Sequence, residues 1–429
     1  MNKTVRFPTQ AAARIANTGL RALSAGSRFA LIIALAKLLP PQDLALYGLF
    51  VATVGFSVLA VGGEYYTHAH RELLSVDRSR WSWVLQHQAV ATAMLYALFV
   101  PAQLLIFTFG LLPWSLAGWF FAILVLEHFG QELDRLLVVM QRPLSASIVL
   151  FLRLGVWVWP LLWWFWQHPT SRTLESLFAA WAVGAGAALI LGGWFVWARA
   201  EQWRLWPLDT AWLWRGFLVG GLFLASSISY KALTTVDRYV TDALAGSEVL
   251  AAYVLFFSLA MVQGHVIVPA IFAFLYPRAV RQYRSGEFAA YHRTMRELLI
   301  STAVLSSLVS AVIAGGAPYL LQLIDRSVYA EHLNLLWLLL AAGIVYMLAM
   351  VPHYALYARG ADKDITVIHI VALGVFGLTC WLLAEPFPNE AAAIALIAAS
   401  LWIGGAKSVR VVLLAGQGRD ADLSAGVSS

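Results

Sequence analysis

The chain has 429 residues, 61% of them hydrophobic and 12% charged, and a formal net charge of +6. Ordinary soluble domains are about a quarter charged, so this composition excludes one, and apolar stretches of about 20 residues recurring from end to end mark a polytopic helical membrane protein. The positive balance would suggest nucleic acid in a soluble chain, but here the basic residues sit in short gaps between apolar runs, where membrane topology explains them. The lone Cys380 lies within an apolar run and excludes an intrachain disulfide.

The chain opens with Lys3, Arg6, Arg14, Arg21 and Arg28 before its first acid, Asp43. The pattern is faintly like a transit peptide, but with no cleavage-like site it reads as a cytoplasmic tail entering a first membrane helix. Twelve apolar spans follow, at roughly 14–38, 44–66, 84–109, 113–138, 144–166, 174–198, 214–243, 248–276, 297–321, 333–357, 365–384 and 390–414. The gaps are short, the longest being 68–83, 199–213 and 278–296, so no large loop and no soluble domain is expected.

Alternate gaps hold Arg71, Arg78 and Arg80; Arg135 and Arg142; Arg199, Arg204 and Arg215; Arg278 to Arg296; Arg359 and Lys363; and Lys407, Arg410 and Arg419. The other side holds only Lys37, Arg172, Arg238 and Arg326. Basic gaps mark the cytoplasmic side, which places both termini inside. Tryptophans at span ends (Trp81, Trp83, Trp157 to Trp166, Trp203, Trp206, Trp212, Trp214) are expected as interfacial anchors.

An internal repeat organises the spans. Leu44-Ala45-Leu46-Tyr47-Gly48-Leu49-Phe50 recurs as Leu250-Ala251-Ala252-Tyr253-Val254-Leu255-Phe256, 206 residues later (253 − 47). The first copy follows Pro40-Pro41-Gln42 and the second follows Ala245-Gly246-Ser247. A chain built twice predicts an all-α fold of two pseudo-symmetric six-helix bundles around a central cavity. The expected parts are residues 1–199, a cytoplasmic connector at 200–213, and residues 214–429.

Arg21 and Arg28 in the first span, Arg153 in the fifth and Lys231 in the seventh are basic residues inside apolar runs. Each costs about 2.5–3.5 kcal/mol at mid-bilayer on insertion scales. Arg21 and Arg28 share a helix face, and the repeat offset carries Arg28 to Thr234, one turn from Lys231. Two readings stay open: equivalent helices line a cavity suited to an anionic solute, or the cations are neutralised by Glu127 and Asp237 or snorkel to an interface. Glu127, beside His128, is a candidate for carrying a coupling proton or cation; an ion pair with Arg21 or Arg153 is the other reading. Glu132 and Arg135 are spaced to pair on one helix. There is no phosphate-binding loop, HExxH, GxSxG or Cys/His metal spacing, so no catalytic residue, metal or cofactor is expected.

Four places resemble the lipid-linked oligosaccharide flippases, the polysaccharide-biosynthesis branch of the multidrug/oligosaccharidyl-lipid/polysaccharide exporter superfamily. They are Leu31 to Phe50, the turn Gly62 to Glu72 (GGEYYTHAHRE), Asp237-Arg238 with Tyr253, and Leu275-Tyr276-Pro277-Arg278. The chain departs from that family at Val219-Gly220-Gly221-Leu222, where a proline is usual, and at Pro40-Pro41, where Gly-Pro is commoner. The resemblance implies a flippase carrying an undecaprenyl-pyrophosphate-linked sugar unit by alternating access, working beside a polysaccharide polymerase and glycosyltransferases, as a monomer. It implies that Arg28 and Lys231, supported by Arg21, Arg153 and Arg238, hold the pyrophosphate or acidic sugars. The alternative is a cation-coupled drug or small-metabolite exporter of the same fold, using Glu127 and Asp237. A membrane glycosyltransferase or polymerase fits less well, because the outer gaps are too short for a catalytic loop.

Overall fold

The computed structural model describes residues 10–198 and 204–426, with side chains at 15–198, 204–221 and 223–415. Lys3, Arg6, Arg199, Trp203 and the first part of the expected connector lie outside the described residues, as do the side chains of Arg14 and Arg419. The described residues fold into helices joined by short turns, with no strand among them.

The helices are α1 (Gln10–Leu38), α2 (Pro41–Gly62), α3 (Tyr66–Ser75), α4 (Trp81–Thr108), α5 (Ala117–Val139), α6 (Pro143–Gln167) and α7 (Leu174–Trp197). They continue as α8 (Thr210–Ala260), α9 (262–284), α10 (Phe288–Ile324), α11 (Ser327–Glu331), α12 (Leu333–Ala358), α13 (Asp362–Leu383) and α14 (Ala391–Gly426). Ten stretches are long and apolar enough to cross a membrane, and one of them, Thr210–Arg284, is 75 residues long and broken at Gly246 into two crossings. The helix Ala117–Val139 has the length of another span but carries Glu127, Glu132, Asp134 and Arg135. Counting both, the multi-pass architecture has the twelve spans that the sequence implies, among the described residues.

Local chemistry sets the breaks. Pro41 occupies the first turn of α2, where its missing N–H costs nothing. That helix ends on Gly63 at φ 56, whose N–H caps the Leu59 carbonyl, and Glu64 also turns left-handed at φ 53. The chain thereby re-enters a helix at once: the expected gap 68–83 holds α3, an amphipathic helix that buries Ala69, His70 and Leu73. Within α8, Gly246 lies at φ 84 and ψ 173, a conformation open essentially to glycine alone. Wide π turns interrupt α6 at Leu152–Val156 and α9 at Val268–Phe272. The second contains Pro269, which lacks the N–H that a regular turn requires.

The chain forms two compact units. The first comprises Met1–Asp43 and Leu49–Ile228, the second Leu44–Gly48 and Ser229–Ser429. In the first, Phe50 stacks on Phe178 with ring centroids 4.2 Å apart and meets Phe120 edge-on at 6.1 Å. A second cluster gathers Tyr65, Leu73, Leu95 and Leu136 with Trp212 and Leu213 from the start of α8. Trp212 is therefore core, as is Trp157, whereas Trp159, Trp163 and Trp166 are exposed. The second unit is built on Ile267, Phe272, Leu298, Met347 and Val351, with α14 packed on α12 and α13. Both copies of the Leu-Ala-x-Tyr-x-Leu-Phe repeat start a helical run just after a break, and the first leucine, the last leucine and the phenylalanine of each are buried, in keeping with a fold doubled into pseudo-symmetric halves.

Candidate functional site

In the first unit the buried charges Glu127 and Arg153 are paired with each other. Glu127 on α5 is 8% exposed; its Oε2 accepts from Arg153 Nη1 at 2.9 Å and its Oε1 from Trp181 Nε1 at 2.7 Å. Arg153 projects from the π turn of α6, the kind of irregularity that re-aims a side chain within a helix. Gly130 leaves it room, because a β-carbon there would come within 2.7 Å of Arg153 Cδ. The Trp181 ring lies parallel to Trp157, 6.3 Å away. Two hydrogen bonds to a carboxylate, one of them from a guanidinium, offset the cost of burying it.

Glu132, Arg135 and His128 of α5 are also engaged. Glu132 accepts from Arg135 at 2.9 Å and from Gln88 at 2.8 Å, and the Arg135 guanidinium stands 3.9 Å over the Tyr66 ring. His128 meets the Tyr96 hydroxyl at 3.0 Å.

The α1 cations are placed differently. Arg21 donates to Ser147 Oγ at 3.0 Å, Ser147 donates in turn to Asn17 at 2.5 Å, and Asp134 stands 4.0 Å from the guanidinium. The Arg21 side chain is nevertheless 44% exposed, and Arg28, two turns along the same face, is exposed as well.

In the second unit Asp237 is wholly buried and accepts from the Tyr253 hydroxyl at 2.8 Å. It sits at a bend in α8, where Thr234 leaves helical geometry. The Arg238 N–H donates to Asp237 Oδ1 at 2.8 Å, and the Arg238 guanidinium donates to the Thr234 carbonyl. Side chains thus occupy the backbone groups that the bend loosens. Arg238 also lies 3.3 Å from the Asp237 carboxylate and 4.4 Å over the Phe257 ring. Lys231, about two turns before Asp237, is half-buried.

The structure therefore brings together Glu127 with Arg153, and Asp237 with Arg238. It places Arg28 in the first unit and Lys231 in the second. One residue needs correcting. Counted by sequence among the basic residues of a cytoplasmic gap, Lys407 is instead 0% exposed inside the second unit. Its Nζ lies 3.1 Å from His353 Nδ1 and 2.9 Å from His369 Nε2. The available signal was its place seventeen residues into the last apolar run, well before that run ends.

Multi-pass apolar helices, doubled halves and charges held inside spans define an integral membrane protein. No family model matches the chain, and no curated protein matches it. Its fold is similar to that of solved MATE family transporters. An inward-facing multidrug resistance MATE family transporter of the MOP superfamily matches with a TM-score of 0.77 at 13% identity, over 94% of this chain and 99% of that one. An outward-facing transporter of that family matches at 0.60 and 14% identity, over 94% and 96%. A Vibrio cholerae MATE transporter matches at 0.55 and 15% identity, over 94% and 98%.

Proposed function

We propose that this protein is a cation-coupled exporter of drugs or small metabolites that works by alternating access. The observation that carries the reading is the near end-to-end match of its fold with multidrug resistance transporters, which leaves almost no part of either chain unaccounted for. Buried carboxylates within spans agree with it. Glu127 and Asp237 are candidate coupling groups, since an acid held against an arginine can exchange that partner for a proton or sodium ion. The basic gaps favour an inner membrane location with both termini cytoplasmic.

A second reading is supported by the α1 face. Arg21 and Arg28 are exposed cations seven residues apart, a pattern suited to an anionic cargo such as a lipid-linked pyrophosphate sugar. Arg28 and Lys231 would then bind the pyrophosphate, with Arg21, Arg153 and Arg238 in support and polysaccharide-building enzymes as partners.

Purified protein in proteoliposomes under an imposed proton or sodium gradient separates the two. The exporter reading expects gradient-driven accumulation of a fluorescent amphiphilic cation, little affected by Arg28→Ala and reduced by Glu127→Gln. Translocation of a short undecaprenyl-pyrophosphate sugar, abolished by Arg28→Ala, with no movement of the small cation, gives the assignment to the flippase. Movement of neither rejects both.

A further inference from the structure

Lys407, His353 and His369 come from three different spans, α14, α12 and α13, and meet with their nitrogens 2.9–3.1 Å apart. Lys407 is wholly buried and His369 is 7% exposed. The two imidazole rings lie nearly parallel, 6.2 Å between centroids, with the lysine nitrogen against both.

Donor and acceptor arithmetic restricts what this trio can hold. An ammonium offers three donors and no acceptor, while a neutral imidazole offers one donor and one acceptor. A single excess proton on Lys407 lets it donate to both rings at the observed distances. With no excess proton, the amine keeps one lone pair and can accept from one ring while donating to the other. Both states are hydrogen-bonded. A second excess proton would set two like charges in contact in a low-dielectric interior, which strongly disfavours it.

The surroundings of the trio are apolar or aromatic for the most part. From α8, Tyr230 faces His369 at 6.1 Å and stacks on Tyr346 of α12 at 4.8 Å. Tyr354 adjoins His353 and meets Tyr276 of α9 at 4.5 Å. Toward the basic helix ends, Tyr291 of α10 accepts from Arg359, and Asp364 on α13 is paired with Arg410 at 3.0 Å. Tyr230 and Tyr346 also line a cavity of about 60 Å³ in the same unit, together with Thr234 and Ser400.

We propose that Lys407, His353 and His369 form a proton-binding site, which takes up and releases a single proton. A proton from water adds to a nitrogen lone pair of the neutral trio, giving a monocation that Lys407 shares with both rings. Return of that proton to water restores the neutral state, and no bond between heavy atoms changes. The site would add a coupling proton carried by bases to any carried at Glu127 or Asp237; this role in transport rests on the exporter reading, whereas the proton binding itself does not.

Two measurements on the full chain test it. Proton uptake by the purified protein on a downward pH jump is counted with an indicator dye, and transport is followed under an imposed pH gradient. Lys407→Met should lose one bound proton relative to the unaltered protein, and its pH-driven accumulation should fall by at least about tenfold while exchange without a gradient persists. An unchanged proton count in Lys407→Met overturns the proposal. Should Lys407→Met fail to fold, His353→Gln and His369→Gln carry the same readout: a displaced midpoint of proton uptake in both supports the site, and an unmoved midpoint in both overturns it. If the unaltered protein moves no small solute yet loses its proton on Lys407→Met, the exporter reading fails and the site stands.

Discussion

Glu127 and Arg153 show what a charge requires in order to stay inside a span. Their separation in the chain is 26 residues, and their buried side chains meet at 2.9 Å. Removing one partner leaves the other buried and uncompensated, so Arg153→Met should lower stability by about 3–5 kcal/mol. The double variant Glu127→Gln, Arg153→Met should recover most of that loss, as read by chemical denaturation in detergent. The sequence leaves open whether Arg153 faces a cavity or a carboxylate; the carboxylate and the tryptophan that holds it come from α5 and α7, and their convergence is a property of packing. His70, outside the spans on α3, provides a pH-dependent counterpart. Burial, aided by the Arg135 charge, pushes its imidazole down to about 4 from an ordinary value of 6.5. Between those values the unfolded chain binds a proton that folded His70 does not. Its contribution is therefore fully present above about pH 6.5 and is lost as pH falls toward 4, by about 3 kcal/mol in all. Thermal unfolding followed from pH 7 to pH 4 should show a shallower decline in His70→Phe than in the unaltered protein.

At the scale of the element, breaks carry more information than helices do. Every span is apolar enough to be recognised as one, but the joints rest on single residues. The stretch Val219-Gly220-Gly221-Leu222, where a related helix would carry proline, has a steric reason for its first glycine. A β-carbon at Gly220 would approach the Gly63 carbonyl oxygen to 2.7 Å, whereas one at Gly221 would meet nothing within 4 Å. Backbone cannot yield as a flexible side chain can. Gly220→Ala should thus cost about 1–3 kcal/mol and lower the melting temperature, and Gly221→Ala should leave it unchanged or slightly raised. Equal effects of the two substitutions would remove the close-approach argument. Gly220 thereby ties the seventh span to the left-handed turn at Gly63-Glu64, from which α3 leaves. That turn was legible as a glycine turn; that α8 lies against it was not, because 157 residues separate the two (220 − 63).

For the whole molecule, duplication is the feature that sequence and structure share most directly. Two copies of one seven-residue pattern, 206 residues apart, both begin helical runs after a break. The break is proline in one and a left-handed glycine in the other, so the halves agree in path while differing in chemistry. Their buried charges differ too. The first unit sets a glutamate against an arginine and a tryptophan, and the second adds a trio of bases beside an Asp-Arg pair. On the exporter reading proposed above, comparing Glu127→Gln with Lys407→Met in the proteoliposome assay addresses which of these charge sets the driving ion uses.

By itself the sequence determined that the chain is a multi-pass membrane protein of about twelve apolar spans, that it is all-α, and that it is doubled. These are one-dimensional properties: hydrocarbon thickness demands runs of about 20 apolar residues, and backbone groups without water must be satisfied inside a helix. Only the tertiary structure decided which way each helix is turned about its own axis. Most of these helices are apolar all round, with no polar stripe to show which face meets which neighbour. For that reason Lys407 read as one more basic residue of a gap, although two histidines, 38 and 54 residues away, enclose it in the second unit.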